Sequence, residues 1–337
     1  MFVNLKIAVI ILNWNGQKLL DQFLPTIIRF SNPEYCDIYV ADNASTDNSI
    51  NFIKENFSSV KIIQNNENGG FAKGYNDALK NVDADIYALV NSDIEVTKNW
   101  LHPIISEFEN DKNTAIIQPK ILDFKDKGKF EYAGAGGGFI DKYGYLFCRG
   151  RIFESLEHDN QQYNDTTTIF WASGACFFIR SFVYHELDGF DEDYFAHQEE
   201  VDLCWRASNL GYTIKYVGSS SVYHIGGATL QNTNPKKTYL NYRNSLYSLV
   251  KNLPKKELFS VLFTRLFLDG ISGIKFLAEI KPRHFFSIII AHFSFYYNLP
   301  KTITKRKKIL NHNEKYYYTK SIIWQYFIKR KKWFNQL

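Results

Sequence analysis

"IYALVNSDIEV", residues 86–96, runs from an apolar segment straight into Asn91, Ser92 and Asp93. A single Asp in that position usually marks a strand end meeting solvent, so its meaning rests on the surrounding chain. Three earlier runs have the same character: "KIAVIILN" (6–13), "DIYVAD" (37–42) and "VKIIQN" (60–65). Each is continuously apolar rather than alternating, as strands covered on both faces are. Between them, "QKLLDQFLPTIIRF" (17–30), "TDNSINFIKENF" (46–57) and "FAKGYNDALKN" (71–81) read as helices. This repetition predicts an α/β fold, an open doubly wound and mostly parallel sheet flanked by helices. Ligands of such sheets bind beyond the carboxyl ends of the strands. Asn13, Asp42, Asn65 and Asn91 to Asp93 all fall there.

Further along, "TKNWLHPIISEFEN" (97–110) reads as a helix despite Pro103, "AIIQP" (115–119) as a strand and "YAGAGGGFIDKYGY" (132–145) as a glycine-rich loop. "EEVDLCWRASNLG" (199–211) is a helix stopped by Gly211. Cys36, Cys148, Cys176 and Cys204 lie far apart without a CxxC pair, which points to buried free thiols in a reducing compartment. The opening apolar run is too short for a signal-peptide core and reads as the first strand.

Several stretches carry candidate chemistry. The glycine-rich "NNENGGFAKGYND" (65–77) follows a strand and opens a helix, but it lacks the G-x-G-x-x-G order, so a hydride-transfer fold is not expected. What it offers is a phosphate-tolerant helix N-terminus with Lys73 in reach of an anion. In "VADNASTDNS" (40–49) Asp47 is accounted for as a helix cap. Asp42 stands outside that cap and can accept from a nucleobase or a ribose hydroxyl. In "NSDIEV" strand alternation sends Asn91 and Asp93 to one side, where oxygen ligands suit Mg²⁺ or Mn²⁺ shared with a diphosphate. "HQEEVDLCWR" (197–206) crowds Glu199, Glu200 and Asp202 at a helix start, a position acidic residues favour anyway. Glu200 faces the apolar side with Leu203 and Cys204, where a carboxylate can serve as a base. "VYHIGGAT" (222–229) sets His224 before two glycines, which allow close approach to a phosphate or metal.

In order, "ILNWNG", "VADNASTDNS", "NENGGFAKGYNDAL", "LVNSDIEV", "WASGACFFIR", "GFDEDYFAHQEEVDLCWR" and "YHIGGAT" resemble glycosyltransferase family 2, inverting enzymes of the GT-A fold, and in particular its bacterial rhamnosyltransferase-like branch. The resemblance spans about residues 6–250. It implies transfer of a sugar from a nucleotide-diphosphate donor to an acceptor hydroxyl with a divalent metal, in surface polysaccharide or glycolipid assembly. Carried over, Asp42 holds the nucleobase with Asn13 beside it, and Lys73, Asn91 and Ser92 join the nucleotide-sugar side. The metal-binding D-x-D is written here Asn91-Ser92-Asp93, so Asp93 and His224 become the metal ligands. The E-D pair is written Glu199-Glu200, with Glu200 as the base and Glu199 on the acceptor side with Trp171. Asn for Asp and Glu for Asp are the two departures. A sugar nucleotidyltransferase would need a basic glycine-rich loop after the first strand, which "LNWNGQK" does not supply. A non-catalytic membrane adaptor on a transferase scaffold is the other reading, motivated by Asn91 and Glu200.

Charge divides the chain into residues 1–235, the expected GT-A domain, and a basic, aromatic-rich helical extension, 236–337. The extension holds 21 Lys and Arg against 4 Asp and Glu, a net +17 in a chain of net +5, which leaves −12 for the rest. No nucleic-acid motif accompanies this basic segment, so nucleic acid is not an expected partner. Its longest charge-free stretch, 285–300, has 16 residues, short of the roughly 20 a membrane span needs. The expectation is peripheral attachment to the anionic inner face of the cell membrane from the cytoplasm, next to a saccharide or lipid-linked acceptor. Packing of these helices on the catalytic part, or homodimerisation, is the alternative use of the extension.

Overall fold

The computed structural model describes residues 5–226, 234–309 and 311–337. Its first half is built as the apolar runs dictate. Strands β1 (Ile7–Asn13), β2 (Cys36–Asp42), β3 (Lys61–Gln64) and β4 (Ile86–Asn91) pair in parallel, in the order β3-β2-β1-β4. Helices α1 (Gln17–Phe30), α2 (Ser49–Asn56) and α3 (Gly70–Leu79) connect them. Successive residues of β1 enter different cores, Ala8 and Ile10 one and Ile7, Val9 and Ile11 the other. Covering on both faces is why β1 and β4 are continuously apolar, whereas β3 at the sheet edge leaves Lys61 and Gln64 exposed, against the expectation for that run.

After β4 the chain turns at Ser92–Asp93 into β5 (Ile94–Val96), then α4 (His102–Asn110) and β6 (Thr114–Asp123). Pro103 sits in the first turn of α4, where a missing N–H costs nothing. A meander follows: β7 (Gly138–Ile140), β8 (Leu146–Cys148), β9 (Arg151–Ile152) and β10 (Ser155–Leu156) form a small separate sheet. Strand structure thus begins inside the stretch expected as a glycine-rich loop. The Gly138 backbone lies against Trp171 so closely that an added Cβ would stand 2.2 Å from its ring, which is why a glycine is needed there.

β11 (Thr166–Thr168), β12 (Cys176–Arg180) and the long β13 (Thr213–His224) complete the main sheet, with α5 (Ser181–Glu186) and α6 (Glu199–Asn209) between the last two. The nine-stranded sheet runs β11-β13-β6-β12-β4-β1-β2-β3, with β5 paired to β13. β12 is antiparallel to both β4 and β6, making the sheet mixed. Gly211 closes α6 at φ +89°, a left-handed position only glycine occupies without strain.

Helices α7 (Pro235–Asn252), α8 (Lys255–Ala278) and α9 (Pro282–Arg306) follow. They share one hydrophobic cluster with the first part: Tyr194 and Trp205 pack with Leu246, Tyr247, Val250, Val261 and Phe295. Beyond Arg306 the chain is not the expected run of helices but an irregular strap with short turns. The strap is held to the small sheet because Asp141 accepts the Ile322 N–H at 2.9 Å and Phe334 packs against Phe139 and Phe147. All four cysteines are buried and unpaired.

Candidate active site

The strand register brings the polar tips together. Asn13 stands opposite Asp42, and Leu12 opposite Asn91. Asn13 Nδ2 donates to Asp42 Oδ1 at 2.9 Å, while the Ser45 N–H and hydroxyl donate to the same carboxylate at 2.9 and 2.5 Å. Asn13 Oδ1 is buried with no hydrogen-bond partner. Gly16 leaves the space above it, since an added Cβ would stand 2.4 Å from that oxygen and 3.7 Å from the Ser92 hydroxyl. Asn13, Gly16 and Ser92 therefore lie close together around an orphan acceptor. Asp47 accepts from the Ser49 and Gln17 N–H groups, a structural role, although the N-cap residue of α2 is Asn48 rather than Asp47.

Alternation does not carry through to Asp93. β4 ends at Asn91 and the turn at Ser92–Asp93 breaks the two-residue period, leaving Asn91 half-buried and Asp93 buried. Asp93 is aimed by a different device. β5 runs antiparallel to the end of β13, with Ile94 opposite His224. This pairing puts Asp93 Oδ1 3.2 Å from His224 Nε2. Glu131, a residue the sequence did not single out, lies on the other ring nitrogen, 3.4 Å from His224 Nδ1. Burial alone would lower the imidazole pKa, but hydrogen bonds and charges from Asp93 and Glu131 raise it to about 10. Gly226 follows at φ +70°, and an added Cβ would crowd Glu131 at 3.0 Å. Gly227, the second glycine of that motif, lies outside the described residues.

Among the described residues no three carboxylate, imidazole or thiol groups surround one point as a complete metal cage. Asp93 and, once a cation displaces the proton it shares with the two carboxylates, His224 nonetheless fit a divalent ion that takes its other oxygens from a diphosphate and water. They offer one carboxylate and one imidazole, adjacent and buried, a donor set suited to Mg²⁺ or Mn²⁺.

Glu199 and Glu200 open α6, and each has a buried Oε2 without a partner. Burial pushes the Glu200 carboxyl up to about 7. Burial, with the neighbouring Glu200 charge, pushes Glu199 well above the carboxylate range. Asp202 is different in kind: it is fully buried but ion-paired to Arg206 and Lys251 at 2.8 Å each, which makes it structural. Gly174 connects the two sides of the site. Its would-be Cβ stands 3.7 Å from Glu200 Cδ, and next to it the Ala175 carbonyl accepts the Asn91 N–H at 2.9 Å. Ser173 on the same segment donates to the Ala133 carbonyl, two residues from Glu131. Lys237, near the start of α7, is within electrostatic reach of both His197 and Glu131.

Two expected contributors have their polar groups engaged by other partners. Trp171 is 4% exposed and its indole N–H donates to the Phe139 carbonyl at 2.9 Å. Its ring is therefore committed to the core, and only the Ser-Gly-Ala that follows it reaches the site. Lys73 is paired with Asp77 and, at 3.5 Å, with Glu67, so an anion at the α3 N-terminus would have to displace those carboxylates.

The sequence profile described as "Glycosyl transferase family 2" matches residues 8–188. N-acetylglucosaminyl-diphospho-decaprenol L-rhamnosyltransferase of Mycobacterium tuberculosis is 21% identical over 234 residues, covering 65% of this chain and 75% of the relative. Among solved structures, GalNAc-T7 with UDP, GalNAc and Mn²⁺ superposes with a TM-score of 0.58 at 17% identity. It covers 74% of this chain and 49% of its own length, so this chain spans about half of that protein. S. aureus TarS 1-349 with UDP-GlcNAc gives 0.55 at 16% identity, covering 90% of both chains. The structures carry the fold, and the profile match carries the family: this chain belongs to glycosyl transferase family 2 and is a glycosyltransferase.

Proposed function

We propose that the chain catalyses metal-dependent, inverting transfer of a sugar from a nucleoside-diphosphate donor to an acceptor hydroxyl, in surface polysaccharide or glycolipid assembly. The observations that support this reading are the buried Asp93–His224 pair, 3.2 Å apart, the Asn91 N–H on the Ala175 carbonyl, and Glu200, with one partnerless oxygen, beside Gly174 of the same segment. In this reading Asp42 and Asn13 hold the nucleoside, and Ser92 and Asn91 face the sugar-phosphate. Asp93 and His224 would hold the cation, whose positive charge offsets the charge gathering on the leaving diphosphate. Glu200 removes the acceptor proton, the acceptor oxygen attacks the anomeric carbon, and the bond to the diphosphate breaks on the opposite face. One displacement gives inversion. A carboxyl near 7 is half-ionised at neutral pH, close to the optimum for a general base. Glu199 beside it would lie on the acceptor side.

The extension, 236–337, is proposed to hold this site at an anionic membrane surface where a lipid-linked acceptor resides. Phe259, Phe263, Phe267 and Ile274 form a stripe along α8, and Phe286, Ile290, Phe293 and Tyr297 one along α9, all at least half exposed. No helix among the described residues is long and apolar enough to cross a membrane. Apolar stripes flanked by Lys and Arg suit the interfacial region instead. The name of the mycobacterial relative, which states a decaprenyl-diphosphate-linked substrate, supports the same class of acceptor.

The deciding experiment incubates the protein with Mn²⁺ and a panel of UDP-, dTDP- and GDP-sugars and measures nucleoside diphosphate release, with and without membrane lipid extract. Release from one donor that disappears with chelator is expected. No release from any donor, together with no calorimetric binding of UDP, dTDP or GDP, would overturn the reading and favour a non-catalytic scaffold.

A further inference from the structure

The segment leading into Glu199 and Glu200 is bent in a way its own residues do not favour. Phe195, His197 and Gln198 have φ of 62°, 68° and 74°, left-handed values that side chains with a Cβ resist. Three such residues within four persist only when their surroundings over-determine them. On one side the Phe195 carbonyl accepts the Phe71 N–H at 2.9 Å, and Gly70 makes room for it. The rest of the restraint comes from the basic extension. Asn244, on α7 and 0% exposed, has its Nδ2 at 3.0, 3.0 and 2.7 Å from the carbonyl oxygens of Tyr194, Ala196 and His197.

Its neighbour Arg243 fixes which way that amide points. Arg243 Nε donates to Asn244 Oδ1 at 2.9 Å, so the NH₂ must face the carbonyls. Arg243 Nη2 itself donates to the carbonyls of Asp193 at 3.0 Å and Tyr194 at 3.3 Å. We infer that Arg243 and Asn244 are positioning residues for the transfer step, holding the left-handed 194–198 turn so that Glu200 is aimed across Gly174. This rests on Glu200 being the base. It goes further in placing the control of that base in the C-terminal extension.

The test compares Asn244→Ala, Glu200→Gln and the unaltered full chain. For Asn244→Ala, turnover is expected to fall roughly 100-fold, as misplacing a reacting group by about an ångström does. Calorimetric binding of the nucleoside diphosphate that the unaltered protein prefers, with Mn²⁺, should stay within about threefold, because Asp42, Asp93 and His224 are untouched. Amide hydrogen exchange across 191–200 should quicken by at least ~10-fold while β1 and β4 stay protected. The acid limb of the turnover–pH profile should also move to lower pH, since a released Glu200 regains water. Unchanged turnover and unchanged exchange in Asn244→Ala would overturn the inference. So would a turnover loss accompanied by an equal loss of nucleotide binding. If Asn244→Ala does not fold, Arg243→Met, which removes the amide's orienting donor, gives the same readouts. Full transfer by Glu200→Gln would sink the base assignment, while the exchange result would still decide whether the clamp exists.

Discussion

Replacing Glu200 by Gln should abolish the chemistry and make the fold less sensitive to alkali, and the two effects have separate magnitudes. Loss of a general base costs about 10² to 10⁴ in rate. The stability effect follows from burial. Folding raises the Glu200 carboxyl from its ordinary 4.5 to about 7. At about 1.4 kcal/mol per tenfold, an ionised folded Glu200 carries about 3 kcal/mol of penalty. Because the folded value is the higher one, the stabilising contribution of the protonated form is complete below pH 4.5 and lost as pH rises through about 7. Gln has no charge to lose. Urea unfolding of the two proteins should therefore give a difference in stability that grows in favour of the variant by about 3 kcal/mol between acid and mildly alkaline pH. Transfer by Glu200→Gln within about threefold of the parent would refute the base assignment. Lost transfer with a flat stability difference would refute the buried, unpartnered placement of the carboxylate.

Three further outcomes are expected. Asp93→Ala should weaken Mn²⁺-dependent nucleoside diphosphate binding by at least ~10-fold in calorimetry, and Glu131→Gln by a smaller factor through loss of its hold on the imidazole; equal binding in Asp93→Ala would remove that residue from the metal site. Phe263→Glu with Phe293→Glu, at side chains 68% and 71% exposed, should leave the melting temperature unchanged but cut sedimentation with phosphatidylglycerol-containing vesicles by ~10-fold or more. A destabilised variant with intact vesicle binding would instead mean these faces are packing surfaces. Gly138→Ala should cost about 1–3 kcal/mol in urea unfolding, because its Cβ would stand 2.2 Å from the Trp171 ring. If Trp171→Phe alters acceptor KM with stability intact, the core placement of that ring is refuted.

The strands, their doubly covered character and their polar tips follow from local composition. A run such as "KIAVIILN" can be buried only between two layers, and its register then sets Asn13 against Asp42. The stop at Gly211 is equally local, because its left-handed φ is its own, whereas Asp47 combines a local donor, Ser49, with a distant one, Gln17. Alternation, also a local rule, stops short of Asp93, since the period-two argument ends where the strand does. What aims Asp93 is a pairing between residues 94–96 and 222–224, and Glu131 joins from a third segment with no motif of its own.

Trp171 shows the same limit from the other side. The resemblance puts Trp171 on the acceptor side, and Gly138 against its ring with the indole N–H on the Phe139 carbonyl puts it in the core. Nor does the helix start "QEEVD" reveal that Asp202 is neutralised by Lys251 while Glu199 and Glu200 each keep one oxygen without a partner. Residue type and spacing are enough to settle which segments become strands or helices and which chemistry they carry. Whether a buried carboxylate is paired, or a backbone bend is held, depends on side chains dozens to more than a hundred residues away. Only packing brings those together, and here the last of them arrive from the basic extension.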